Sequence, residues 1–487
     1  MPALDAGPAA LVAAVLAVLM TLAFFHLPSL IRHGIATSPA KKGGRQGRVR
    51  RPPRASPLQS ATAKSYIPFN PEAVDSDDVL VVDCTHPAAD TLTHHKGSRN
   101  PPLTSVPGSD TSTGLVLNAL RAEQGPHSAA LERWMSKRHV AVNHFDTDAL
   151  LSVWSFLHGN EALLHEPILR HTARIGDFRE AALGSSPEAQ QARACDGIGT
   201  EAQVHHALKL ACWLNTVEIT RFSAPYEGKD ADEKFAYFLD AFLPALQSPE
   251  LVRGDWETEY RDVVEGWELL ERGRVEGAVR RHPGTGLAVL RAPRPLHYYS
   301  LFSHAIGCDV VASLYPGQRY EVESRYTQFV NLHSRPVTAR LDLGPLAELL
   351  NAVDVGREAG THWAAPRYVD TGPLLRLDRD GEKLSKAQRY GHPTERPMFA
   401  SGLSADQFEE LVVSYLRHGL QGLHPKVGGW TWEELHGMNG GIDWEPWQQH
   451  QLHAFGAATN AAEAAATVGA VALEGPQAEP AVHPSLL

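Results

Sequence analysis

Residues Val140-Ala141-Val142-Asn143-His144-Phe145-Asp146-Thr147-Asp148 place a histidine and two carboxylates directly behind an apolar run. In an extended segment, alternate side chains share one side at a spacing of about 6–7 Å. His144, Asp146 and Asp148 therefore present one imidazole and two carboxylates to one space. Nitrogen and oxygen donors of this kind suit Mn2+, Mg2+ or Zn2+. Two such ions about 3.5–4 Å apart can clamp a phosphoryl group and acidify a bridging water. Carboxylates gathered at a strand end are costly unless paired or coordinated. The structural alternatives are plain: Asp146 or Asp148 could cap the following helix, and His144 could be a hydrogen-bonded core histidine.

The elements around this stretch must position it. Residues 139–142 read as a strand. Residues 149–158 read as a helix that Gly159 ends, apolar on most sides through Leu150, Leu151, Val153, Trp154, Phe156 and Leu157, and so buried. Ligands of open α/β sheets bind at the carboxyl ends of strands, where His144, Asp146 and Asp148 would sit. Residues 79–82, four aliphatic side chains in a row, read as a strand buried on both faces. That strand ends at Asp83, which could be a ligand or cap its own loop, and leads to His86, a candidate metal ligand. His94 and His95 fall in a polar stretch read as a loop. Asp110 or Ser112 can cap a helix through residue 123. Residues 168–175 read as a further strand, placing Asp177 at its end as another candidate carboxylate. His205 and His206 lie inside a helix over 201–222, where neighbours point about 100° apart and suit one metal poorly.

With the strand, the motif and the helix start in view, His144-x-Asp146-x-Asp148 followed by Ala149 and Ser152 resembles the first motif of the DHH superfamily of phosphoesterases. The resemblance implies manganese or magnesium bound by the histidine and aspartates. It also implies a second-motif aspartate after a later strand, a part open to Asp177, and a third Asp-His-His motif. No Asp-His-His occurs in this chain, nor does the Gly-Gly-Gly-His of the usual substrate domain. The resemblance covers about a dozen residues, and the whole chain otherwise resembles an uncharacterised protein.

The 487 residues suffice for two or three domains. Cys84, Cys195, Cys212 and Cys308 form no Cys-x-x-Cys pair, which argues against a zinc ribbon or a disulfide scaffold. The net charge of −11 is uneven: residues 1–71 carry nine Lys/Arg and one acid, leaving 36 basic and 55 acidic residues beyond. A body this acidic speaks against general nucleic-acid binding. Residues 9–27 are almost wholly apolar and precede that basic flank, which reads as a single span anchoring a cytoplasmic body to the lipid bilayer; an organelle-targeting leader is the alternative. No Gly-x-Ser-x-Gly, Gly-x-Gly-x-x-Gly before a helix, or Walker A sequence occurs.

The expected fold is α/β, with a mixed or mostly parallel sheet, helices on both faces and a smaller α+β C-terminal part. The expected domains are an anchor over 1–30, a basic disordered linker over 31–71, an α/β domain over 72–281, a C-terminal subdomain over 282–455 and a disordered tail over 456–487. Residues 319–330 alternate charged and uncharged side chains, read mainly as an exposed edge strand. Residues 356–402 read as irregular. The function expected is a metal-dependent hydrolase of a small phosphate ester. His144, Asp146, Asp148 and Asp177 are its catalytic and metal-holding residues, with His86 as a further ligand for Mn2+ or Mg2+. A non-catalytic, membrane-tethered binding or scaffold protein is the alternative.

Overall fold

The aliphatic run Val79–Val82 forms a strand, β2, with every side chain enclosed. It lies in a four-stranded sheet with β1 (Ser65–Tyr66), β3 (Asp90–Leu92) and β4 (His139–Ala141), in the order β1-β4-β2-β3. All neighbouring pairs are parallel, so the carboxyl ends of β2, β3 and β4 share one edge. The structure is a computed structural model and describes residues 64–72, 77–101, 110–125, 128–223 and 228–455. From Lys64 onward the chain forms one compact unit. Ser65–Tyr66, assigned to the basic linker on sequence, is thus a strand of the first sheet.

Helices pack around this sheet. They are α1 (Ser112–Glu123), α2 (Ser128–Met135), α3 (Thr147–Leu157), α4 (Gly159–Leu164), α5 (Glu166–Phe178), α6 (Pro187–Asp196), α7 (Glu201–Arg221), α8 (Ala231–Gln247) and α9 (Glu257–Gly273). Trp154, Trp213, Phe235, Phe238 and Phe242 from α3, α7 and α8 join the strands in one core. The strand expected over 168–175 is instead the body of α5. Pro167 sits in the first turn, where its missing N–H costs nothing. Ile168, Leu169, Thr172 and Ile175 repeat at helical spacing, while Arg170 and Arg174 are enclosed only because Glu166 and Asp196 pair with them. Ion pairing, invisible in a local apolar count, decided the element.

The second sheet contains β5 (Val279–His282), β6 (Leu287–Arg291), β7 (Val310–Tyr315), β8 (Arg319–Ser324), β9 (Thr361–Ala364) and β10 (Leu374–Arg379). Its order is β5-β6-β7-β8-β10-β9, with only β6 and β7 parallel. The helices α10 (Tyr298–Ser303), α11 (Gly344–Val353), α12 (Lys386–Tyr390), α13 (Ala405–Gly419) and α14 (Trp432–Gly441) accompany it. The molecule is therefore α/β, with one parallel sheet, one mixed sheet and helices around both. The stretch Pro283–Gly286, read as a subdomain boundary, is the turn of the β5–β6 hairpin, so β5 already belongs to the second sheet.

Two readings of this half are corrected. Residues 356–402 are not irregular, since they hold β9, β10 and α12. β8 is not an exposed edge: it lies between β7 and β10. On its charged face Arg319 is exposed, but Glu321 is enclosed, and Glu321 and Glu323 both pair with Arg396. Arg325, just past β8, pairs with Glu180. The cap of α13 follows its sequence signature: Ser404 Oγ accepts from Gln407 N–H and Gln407 Oε1 accepts from Ser404 N–H.

The single-pass membrane anchor is also withdrawn. Residues 9–27 lie outside the described residues, and among the described residues no helix is long and apolar enough to cross a membrane. The tail from residue 456 likewise lies outside them.

Candidate metal centre

Three parallel strands deliver polar side chains to one sheet edge. Asp83 follows β2 directly and adopts a left-handed backbone, φ 49°, a conformation that costs a non-glycine residue energy and concentrates at functional sites. Its carboxylate is enclosed, and Oδ1 accepts from Ser112 Oγ at 2.6 Å. β3 leads to His94 and His95, and β4 leads to His144.

The proton positions on these histidines follow from their partners. His94 Nδ1 lies 2.8 Å from the Asp110 carbonyl oxygen. A carbonyl only accepts, so Nδ1 carries the proton and Nε2 of the neutral ring is a bare lone pair. That lone pair faces Asp83 Oδ1 at 3.5 Å, Asp177 Oδ2 at 3.5 Å and Asp148 Oδ2 at 3.9 Å. His94 Nε2 and Asp177 Oδ2 are both buried without a hydrogen-bond partner. Burial, reinforced by His95, pushes His94 down to about 4, so the ring is neutral at pH 7. That lone pair therefore faces carboxylate oxygens without forming a hydrogen bond to any of them.

His144 repeats the pattern at the open side. Its Nδ1 meets Asn143 Oδ1 at 2.8 Å, leaving Nε2 toward Asp146 Oδ2 at 3.1 Å and Asp83 Oδ2 at 3.3 Å. Burial opposes a charge on His144, but Asp146 and Asp83 push its pKa well up, so a proton or a cation belongs between them. Asp146 does cap α3, accepting from Ala149 N–H through Oδ1 at 2.8 Å. The cap uses one oxygen and leaves the other for His144, so capping and ligation do not compete.

Asp148 lies on the first turn of α3 but is held by a different helix. It accepts from the N–H groups of Ser112 and Thr113, at 2.6 and 2.8 Å, in the first turn of α1, where helix N–H groups favour negative charge. Ser152, one turn further along α3, meets Thr113 Oγ1 at 3.3 Å and supports this contact from behind. Asp177 arrives from the last turn of α5.

The ligand atoms form two groups, each within 4.8 Å: His94, Asp148 and Asp177, and Asp83, His144 and Asp146. Asp83 turns one oxygen to each, and a third set, Asp83, His94 and His95, overlaps them. Burial and the neighbouring carboxylates push Asp148 and Asp177 well above the usual carboxylate range. Burial raises Asp83 too, but hydrogen bonds with His144 and His95 bring it well below that range. Three enclosed carboxylates, with the half-exposed Asp146 beside them, repel one another, and divalent cations relieve such crowding.

Not every histidine cluster has this form. Glu259, His297 and His392 also lie within ligand distance of one another. There, however, His297 Nδ1 accepts from Tyr299 N–H, so Nε2 carries the proton and donates to Glu259 Oε1 at 3.1 Å. Asn215 and Thr216 satisfy the rest of that carboxylate. The Glu259–His297 pair is satisfied by hydrogen bonds alone.

The structure thus brings His144, Asp146, Asp148 and Asp177 together. His86 stands apart: its Nδ1 accepts from the N–H groups of Ala88 and Ala89, and its Nε2 faces the Pro71 carbonyl. It caps its own turn and takes no part in the cluster. His205 meets the Tyr260 hydroxyl and His206 bonds the Leu246 carbonyl, both away from the cluster. His94 and His95 were readable only as loop residues, and Asp83 as either a ligand or the cap of its loop. Their available signal was a buried strand ending in aspartate, then two adjacent histidines behind another short strand. Tyr326, whose hydroxyl lies 3.5 Å from His95 Nε2, had no local signal at all.

A family model described as a family of unknown function (DUF6687) matches residues 62–427. The chain belongs to that family. The DUF6687 match runs from just before β1 to beyond β10 and α13, and contains every residue of the cluster. No curated protein and no solved structure matches the chain. The DUF6687 model is not that of the DHH superfamily, so that likeness remains one of motif. In space, Asp83 behind a strand and the pair His94-His95 stand beside His144-x-Asp146-x-Asp148, but both precede it in the chain.

Proposed function

We propose that this chain is a hydrolase of phosphate esters that uses two divalent cations, Mn2+ or Mg2+, at the carboxyl edge of its parallel sheet. One observation carries the reading: the bare Nε2 of neutral His94 faces Asp83 Oδ1 and Asp177 Oδ2 at 3.5 Å each, all buried, and neither Nε2 nor Asp177 Oδ2 makes a hydrogen bond. A cation would satisfy these atoms together, in place of the protons that crowding otherwise holds on Asp148 and Asp177. His94, Asp148 and Asp177 would hold one ion, His144 and Asp146 the other, and Asp83 would be shared. Imidazole beside carboxylate favours Mn2+ over Mg2+. Bound ions of this type neutralise phosphoryl charge and acidify water.

The chain's own groups keep the acceptors aimed. α1 holds Asp148 through two backbone N–H groups, and Ser112 fixes Asp83. His95 and Tyr326 are half-buried and line the open side, where a phosphoryl oxygen would meet their donors.

The test uses the full chain, stripped with EDTA and titrated with Mn2+. Thermal midpoint and hydrolysis of bis(4-nitrophenyl) phosphate are followed together. At a hundred-fold excess over Kd, metal stabilises the fold by about 2.7 kcal/mol. Asp146→Ala with Asp148→Ala is expected to lose both the stabilisation and the turnover. Asp177→Asn, whose Oδ2 makes no hydrogen bond, is expected to fold and to bind metal more weakly. Unchanged Mn2+ stabilisation in the double variant would refute the reading.

A further inference from the structure

The enclosed cations of this molecule follow a rule with one exception. Arg174 pairs with Asp196, Arg325 with Glu180, Arg396 with Glu321 and Lys234 with Glu218. Every other enclosed Lys or Arg among the described residues has a carboxylate partner except Arg340, which is 0 % exposed. Its guanidinium meets only backbone oxygens, among them the carbonyls of Tyr368, Asp370 and Thr371. Lys96 is half-buried and likewise ion-pairs with no carboxylate among the described residues. Its ammonium donates to the Val330 carbonyl at 3.0 Å, which uses one of three protons.

Both cations border the same few residues. Arg340 lies 5.6 Å from the Phe329 ring centroid, and Phe329 meets Trp432 edge to face at 5.2 Å. Lys96 Nζ lies 5.9 Å from the Trp432 ring centroid. Phe329 also packs against His95 of the cluster, ring centroids 6.3 Å apart. Gly429, at φ 75°, leaves the room: a Cβ there would lie 3.3 Å from Lys96 Nζ and 3.2 Å from the Val330 oxygen. A buried and a half-buried positive charge with no carboxylate in ion-pair contact are unfavourable, and an anion from outside supplies the contact that the chain does not.

We propose that Lys96, with Arg340 behind it and Phe329 and Trp432 beside it, forms an anion subsite next to the metal cluster. It takes a carboxylate or phosphate group other than the one presented to the cluster. The anion is either a second charged group of the substrate or a free ion. Its role toward a substrate rests on the hydrolase reading, whereas anion binding itself does not.

The experiment titrates inorganic phosphate into metal-free full-length protein by calorimetry. Wild type binds phosphate, and so does Lys96→Arg. Lys96→Met, with the charge removed at similar length, binds it at least about ten-fold more weakly. Asp146→Asn with Asp148→Asn keeps phosphate binding, which separates this site from the metal cluster. A second measurement needs no variant: phosphate protects Lys96 of the wild type from amine acylation, read by mass spectrometry. Equal affinity in wild type and Lys96→Met, or no protection of Lys96, overturns the proposal. With turnover in hand, competitive inhibition by phosphate marks a substrate group, and non-competitive inhibition marks a free anion.

Discussion

Asp83 turns Oδ1 toward His94 and His95 and Oδ2 toward His144, so its loss touches both halves of the cluster. Asp177 reaches only one. The expected outcome is that Asp83→Asn abolishes tight uptake of both Mn2+ ions, while Asp177→Asn takes up one ion per chain; metal analysis after gel filtration reads this directly. A different carboxylate governs acid stability. Burial works to raise Asp196, but Arg174 and His171 overcome it and bring its pKa down to about 2. The folded form therefore holds its proton less tightly than the unfolded chain. The stabilisation is complete above the ordinary carboxylate pKa near 3.8 and is lost as pH falls from there through about 2. Asp196→Asn should flatten that part of the stability–pH curve. It should also cost about 3–5 kcal/mol at pH 7, because Arg174 stays enclosed with less of its compensation; denaturant unfolding at several pH values checks both.

The cluster of histidines and carboxylates depends on two helices meeting closely. At Gly176 of α5, a Cβ would lie 2.5 Å from Thr147 Cβ, at the start of α3. Asp177 and Asp148 are the next residues on either side of that contact. Gly176→Ala is therefore expected to push the helix ends apart, destabilise the fold by about 1–3 kcal/mol and weaken Mn2+ uptake. Thermal unfolding with and without metal separates the two effects. Ser404→Ala, far from the cluster, removes only the cap of α13 and should cost about 1 kcal/mol with Mn2+ binding unchanged. At this scale the sequence was informative where periodicity and caps agreed, as at α3. It misled at α5, where enclosed arginines resembled nothing that a local pattern predicts.

Across the whole molecule, the two halves are joined by a buried polar seam. Arg325 follows β8 and donates to the carbonyls of Phe178, Ala305 and Cys308 while pairing with Glu180. Asp110 holds the N–H groups of His333 and Ser334 through one oxygen and Arg174 through the other, and its carbonyl fixes the His94 ring. Residues of the second half thus complete the surroundings of a cluster built on the first. Arg325→Met leaves Glu180 enclosed with only its longer contact to Arg174, at 3.4 Å. The expected loss is about 3–5 kcal/mol, with weakened Mn2+ binding because Phe178 adjoins Asp177; calorimetric unfolding and metal titration report the two.

The sequence by itself determined the motif and its setting. An aliphatic strand, a histidine and two aspartates at alternate positions, and an apolar helix are local patterns, fixed by the period of two along a strand and by helical spacing. Those patterns sufficed for the α/β class and for His144, Asp146 and Asp148. Only the tertiary structure decided the partners. Asp83 and His94-His95 join because three parallel strands end at one edge, and Asp177 joins because α5 is a helix that ends against α3. His86, a candidate on chain position alone, drops out because its own turn satisfies it. Strand order and ion pairing between distant residues set which polar groups meet, and neither leaves a mark on any short stretch of the chain.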